Sequence, residues 1–196
     1  MANIDAPRGF KPVRYVSGAP YNGSVNIYST AAGDATAIYV GDPVTIAASG
    51  TAQVVNGDTY ADVDQAATGN IVTGVVVSVL PDTRDSLVYR AASTLRLLAV
   101  CDDPDVLFEI QEVSGGTALT ANAIGLNADF VVASGSATTG FSGVELNNSG
   151  EASTNTLDVK LIGIVNRVDN AIGEHCKWLV RINRHRYANQ VAGDTL

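Results

Sequence analysis

Between residues 71 and 80 the chain reads IVTGVVVSVL, a nearly unbroken run of β-branched side chains closed by Pro81 and Asp82. Such a run predicts a strand covered on both faces. Residues 106–113 follow a different rule. Val106, Phe108 and Ile110 alternate with Leu107, Glu109 and Gln111, the period of two that a half-buried strand requires. Residues 156–168 and 175–182 read as another antiparallel pair, turning at Asp169 and Asn170; Cys176, Trp178, Val180 and Ile182 share one face and His175 points to the other. Further strands are expected at 95–100 and 129–133. Short apolar pieces at 37–40, 44–47 and 52–55 are separated by Gly41-Asp42-Pro43, Ser49-Gly50 and Asn56-Gly57-Asp58, the punctuation of successive hairpins. Polar residues 59–70 predict a surface loop, as do 134–142 and 147–155. Residues 117–124 suit one helical turn or two, stopped by Gly125. About ten short strands with no fixed-period repeat predict an all-β fold: a single β-sandwich, jelly-roll or irregular barrel domain.

The first 33 residues are punctuated by Pro7, Gly9, Pro12, Gly18, Pro20, Gly23 and Gly33. That spacing forbids a helix and interrupts a long strand. Yet Phe10, Val13, Tyr15, Tyr21, Val25, Ile27 and Tyr28 are too many apolar groups for a solvated tail. The expectation is an extended N-terminal arm (1–33) whose side chains are buried partly on a neighbouring subunit, removable at residue 18 without unfolding a β domain at 34–187. Residues 188–196 read as a polar C-terminal tail.

Composition changes the picture in three ways. Gly, Ala, Ser, Thr, Val, Asp and Asn dominate, a vocabulary of strands and turns rather than helices. The net charge is −8, which argues against broad nucleic-acid binding, because phosphate contacts need a positive face. The twelve Lys and Arg residues are also segregated: Arg8, Lys11 and Arg14, then residues 84–96, then 160–186. The two basic ends can each meet an acidic partner. No stretch approaches the length of a membrane span, and the opening MANIDAPRGF lacks the pattern of a signal peptide.

Candidate chemistry is sparse. Of the two histidines, His175 and His185, the first alternates away from Cys176 along its strand, and Cys101 meets either only through a tertiary coincidence. Cys101 and Cys176, 75 positions apart, are expected as thiols if the protein assembles in a reducing cytosol, and a pair of them forms only if the fold brings them together. Asp102, Asp103 and Asp105, and likewise Asp58, Asp62 and Asp64, are oxygen-rich. They lack the glycine and terminal glutamate of a calcium loop, and aspartates in turns ordinarily bind their own backbone. Neither a phosphate-binding glycine loop nor a dinucleotide fingerprint occurs. No catalytic residue, metal or cofactor is therefore expected.

Three blocks carry a resemblance: APRGFKPVRYVSGAPYNG from Ala6 to Gly23, GDPV from Gly41 to Val44, and IGIVNRVDNAIGEHCKWLVRINRHRY from Ile162 to Tyr187. Together they resemble a family of virion structural proteins of tailed phages, thought to decorate or cement the capsid. The resemblance implies a non-enzymatic protein on the outer capsid surface of the virion, assembled in the host cytoplasm. It implies partnership with the major capsid protein and with itself, as a homodimer or homotrimer, and no established binding residues. On the residues themselves, Phe10, Val13 and Tyr15 are expected as apolar anchors on that partner, and Arg8, Lys11 and Arg14 as its cationic contacts. Two alternatives stay open: another virion role in the tail or head completion, and a carbohydrate-binding β-sandwich with exposed Tyr or Trp.

Overall fold

The computed structural model describes residues 3–48 and 51–188. In chain order its strands are β1 (Lys11–Tyr15), β2 (Asn26–Thr30), β3 (Pro43–Ile46), β4 (Ala52–Val55), β5 (Asp58–Ala61), β6 (Val63–Gln65) and β7 (Gly74–Val79). They continue as β8 (Arg96–Cys101), β9 (Val106–Gln111), β10 (Asn127–Ala128), β11 (Phe130–Val131), β12 (Glu145–Leu146), β13 (Val159–Ile164) and β14 (Lys177–Ile182). The expected helical turn is one short 3-10 segment, Ala121–Ala123, capped by the Thr120 hydroxyl. The fold is all-β, and every strand pairing is antiparallel.

Two five-stranded sheets form the body, in the orders β1-β9-β14-β13-β10 and β2-β8-β7-β3-β6. One core joins them. Phe108, Ile110, Trp178, Val180, Val159 and Leu161 from the first sheet meet Val75 and Cys101 from the second. Burial of these side chains supplies most of the drive to fold, at roughly 1.5–3 kcal/mol for each large one. The alternation read along residues 175–182 is borne out: Cys176, Trp178, Val180 and Ile182 all lie in this core. The second sheet is covered on its other face too, where Val76, Leu98 and Val100 pack with Tyr28, Ile38, Val44 and Val63. That explains why residues 74–76 are buried without alternation.

Arg90 closes this second face. Its side chain is fully buried, and its guanidinium donates to the Thr94 and Ala31 carbonyls at 2.8 and 2.7 Å, to Asp34 at 3.0 Å, to the Thr30 hydroxyl and to the Thr36 carbonyl. A buried cation persists only when its donors are matched in this way.

The structure corrects the expected arm. Residues 3–33 are built into the domain: β1 is the edge strand of the first sheet and β2 the edge strand of the second. Phe10 is 2% exposed and meets Phe108 and Phe130 edge-on. Deleting residues 1–18 would therefore strip a strand and a core aromatic from the domain rather than release a tether. Pro12 is tolerated because β1 is an edge strand with a bulge at Val13. The open side of β1 is partly occupied by the chain's own return, since Tyr15 N–H donates to the Ala19 carbonyl at 2.8 Å and Tyr21 N–H to that of Val13 at 3.0 Å.

A second correction concerns residues 59–70, expected as a loop. They hold the rest of β5 and all of β6, because Asp62 is buried as an acceptor for Ser29, Thr51 and Gln53 at 2.6, 2.9 and 2.7 Å. Residues 37–40 make only isolated bridges, Ile38 to Arg90 and Val40 to Phe141. The Ser49-Gly50 turn and all of the 188–196 tail beyond Ala188 lie outside the described residues.

Candidate functional site

The side of the first sheet that faces away from the core is where the two basic ends of the chain meet. β9 lies between β1 and β14, and β13 follows. The register opposes Lys11 to Glu109, Arg14 to Leu107, Arg181 to both Leu107 and Lys160, and Lys177 to Gln111. Paired residues share a face. Lys11, Arg14, Lys160, Lys177 and Arg181 therefore lie on one side, opposite Phe108, Ile110, Trp178 and Val180. Glu109 is the one acidic residue that these four strands contribute to it. Leu107 and Leu179 also point outward, yet both are buried. Long basic side chains beside them in register cover apolar surface with their stems and keep their charges in water.

Some of these charges are neutralised locally. Arg181 donates to Asp105 at 2.7 Å, and Arg167, from the loop after β13, pairs with Glu109 at 3.2 Å and Asp169 at 3.3 Å. Among the described residues Lys11, Arg14 and Lys177 have no carboxylate within ion-pair distance. On a protein of net charge −8, these three set positive charge against the overall sign.

A groove of about 270 Å³ is cut into this face, with Lys11, Glu109 and Lys177 in its lining and residues 4–9 and 167–169 as its banks. The first bank is tied down at Asn3 and at Ala6. The Asn3 side-chain amide donates to the carbonyls of Ala171 and Glu174 at 2.8 and 2.7 Å and accepts from Ala171 N–H, while Ala6 N–H donates to Gln111 Oε1 at 3.0 Å. Beside it Asp5, Glu145 and His175 bring their ligand-type atoms within 4.8 Å of one another. The Gln111 amide nitrogen is the donor shared among them, at 2.9 Å from Asp5, 2.9 Å from Glu145 and 3.3 Å from His175 Nδ1. The members of this trio come from three distant segments, and nothing in the sequence signalled it.

The residues expected to contact a partner divide sharply. Arg8 is exposed, with its guanidinium 4.6 Å above the ring of Phe141, a cation–π arrangement. Lys11 and Arg14 are exposed, and Val13 is 37% exposed at the bulge. Phe10 is core, a correction to its expected role as an anchor. Tyr15 is half-buried against the core with its hydroxyl donating to Asn22 at 2.9 Å. The missing signal for the rest of the face, Lys177 and Lys160 above all, was the pairing of β1 with β9 and of β9 with β14.

In the first of the two aspartate clusters the carboxylates accept hydrogen bonds from the fold, as Asp62 of the second does. Asp102 accepts from Tyr28 at 2.7 Å and from Asn26, Asp105 accepts from Arg181, and Asp103 accepts from Asp105 N–H. Cys101 and Cys176 are free and buried, and burial pushes both thiols up to about 11. His185 is buried too, and desolvation brings it down to about 4. Comparison with protein-family models, with curated proteins and with solved structures found no match.

Proposed function

We propose that this protein is a structural component of a tailed-phage virion that decorates and cements the outer capsid by docking its cationic sheet face on acidic surface of the major capsid protein. One observation carries the reading: Lys11, Arg14, Lys160, Lys177 and Arg181 share the outward face of one sheet in an otherwise acidic protein. The resemblance of residues 6–23, 41–44 and 162–187 to capsid decoration proteins supplies the partner. A rigid two-sheet body suits such a role, since a cement stabilises a seam by holding several shell units at fixed spacing, and many modest contacts then act together. Self-association as a dimer or trimer would multiply the effect. The carbohydrate-binding alternative loses its best candidate ring, because Trp178 is fully buried.

The test is re-addition of purified protein to heads that lack it, followed by co-sedimentation and electron microscopy. Surface protrusions and saturable binding are expected. Charge reversal at two exposed sites, Lys11→Glu with Arg14→Glu, should abolish saturation at moderate salt while leaving the melting temperature near wild type. Heads that bind the double variant as well as wild type would sink the proposal, as would heads that never bind the wild-type protein.

A further inference from the structure

A second hollow, of about 290 Å³, opens where the two sheets part beside β1. It shares Arg8 and Lys11 with the cationic groove, and its remaining lining is apolar, including Pro12, Tyr21, Val40, Val77 and Phe141. An apolar hollow and a charged groove thus adjoin across two cations. We infer that they form one seat for an extended segment of a partner protein, in which an aliphatic or aromatic side chain is followed directly by carboxylates.

The charges decide the occupant. In the groove, Arg167 is already engaged by Glu109 and Asp169. Arg8, Lys11 and Lys177 have no carboxylate within ion-pair distance among the described residues, so the groove has cationic capacity to place. Arg8 is also pre-positioned: its guanidinium carbon lies 4.6 Å above the Phe141 ring, and a guanidinium held there can receive a carboxylate in a bidentate pair. A wholly acidic segment would leave the apolar hollow wet, and a wholly apolar one would leave three cations uncompensated. A segment with both features satisfies both halves. The inference rests on the docking reading above and names the chemistry that the capsid partner would present there.

The probe is a blocked, fluorescein-labelled pentapeptide, Gly-Leu-Asp-Asp-Gly, titrated into the full-length protein and followed by anisotropy. Two control peptides replace both Asp by Asn, or Leu by Ser. Each replacement should weaken binding about tenfold, the equivalent of one good ion pair or one buried aliphatic side chain. Arg8→Gln and Lys177→Gln, both on the surface, should each weaken binding of the parent peptide about fivefold or more and leave that of the Asn control unchanged. Absence of binding up to millimolar protein overturns the inference. So does a Ser control that binds as well as the parent, which would reduce the seat to general charge attraction. A protein that discriminates among the peptides as stated but never binds heads would retain the seat and reject the capsid reading. One that binds heads with Arg8→Gln and Lys177→Gln unaffected in both assays would reject the seat alone.

Discussion

Gly9 and Gly41 cross backbone against backbone: a β-carbon on Gly9 would lie 2.3 Å from the carbonyl oxygen of Gly41, and one on Gly41 would lie 2.1 Å from that of Arg8. The Phe10 amide completes the crossing by donating to Gly41 O at 2.9 Å. Two of the sequence blocks that carry the resemblance, those containing PRGF and GDPV, thus meet at one point, where the lead-in to β1 passes the lead-in to β3. Both glycines also have positive φ, 64° and 98°, which side-chain-bearing residues rarely adopt.

Gly9→Ala should therefore destabilise the domain by about 2–4 kcal/mol, combining left-handed backbone cost with overpacking. Gly57→Ala is the matched control: its φ is 94° but nothing lies within 4 Å of the added carbon, so only about 1–2 kcal/mol is expected. Urea titration measures both, as a lowered midpoint with unchanged slope.

Arg90→Lys should cost about 2–4 kcal/mol although it keeps the charge, because an ammonium cannot reproduce the planar fork that serves Thr30, Ala31, Asp34, Thr36 and Thr94 together. Hydrogen exchange should quicken most at residues 31–38 and 90–94, the segments the guanidinium ties together. Protection unchanged in those segments would show that the clamp is dispensable.

Stability should depend on pH through buried groups of opposite sign, Asp158 and His185 among them. Burial raises the Asp158 carboxyl from 3.8 to about 7, against a backbone hydrogen bond from Gly69. Below 3.8 both the folded and unfolded chains hold this proton. As pH rises the unfolded chain releases it first, so this contribution to stability falls until pH passes about 7. Desolvation lowers His185 from 6.5 to about 4, so the unfolded chain binds a proton the folded one refuses, and this contribution rises with pH between about 4 and 6.5. Asp158→Asn removes the falling component, and its stability relative to wild type should climb steadily from pH 4 to pH 7. A constant difference across that range, in denaturant titrations at fixed ionic strength, would contradict the assignment.

Neither cysteine should react with a thiol reagent at pH 8 in the native protein, since both are buried and both thiols are pushed up to about 11. Two thiols should titrate in denaturant, and the native rate should follow opening of the fold rather than reagent concentration. Immediate modification of either would contradict its burial.

The long strands were legible because their side chains announce their environment. β7, β8, β9, β13 and β14 carry the β-branched or alternating pattern that a covered or half-covered strand demands. β1 was hidden by Pro12 and the glycines around it; an edge position with a bulge accommodates them, and edge position is a property of the sheet, not of the segment. β5 and β6 were hidden by their polarity, since Asp62 looks solvated until Ser29, Thr51 and Gln53 gather around it from other strands. For the candidate site, the cations themselves and their segregation to the two chain ends were plain. Their union was not: residues 11–14 and 177–181 become neighbours only through β9, a pairing fixed by burial of Phe108 and Trp178 on the opposite face of the sheet from the charges.

The outer edge of β1, where Ala19 and Tyr21 already hold the main-chain groups of Tyr15 and Val13, bears on behaviour in crowds. A sheet border with idle amides and carbonyls templates strand-on-strand growth, and copies held close together would be drawn into fibres. Here that template is filled from within the same polypeptide, and a bulge and a proline spoil what is left of it. In the docking proposed above, attachment then falls to side-chain charge on a sheet face, which salt can loosen and reset, rather than to main-chain zippering along this edge, which it cannot.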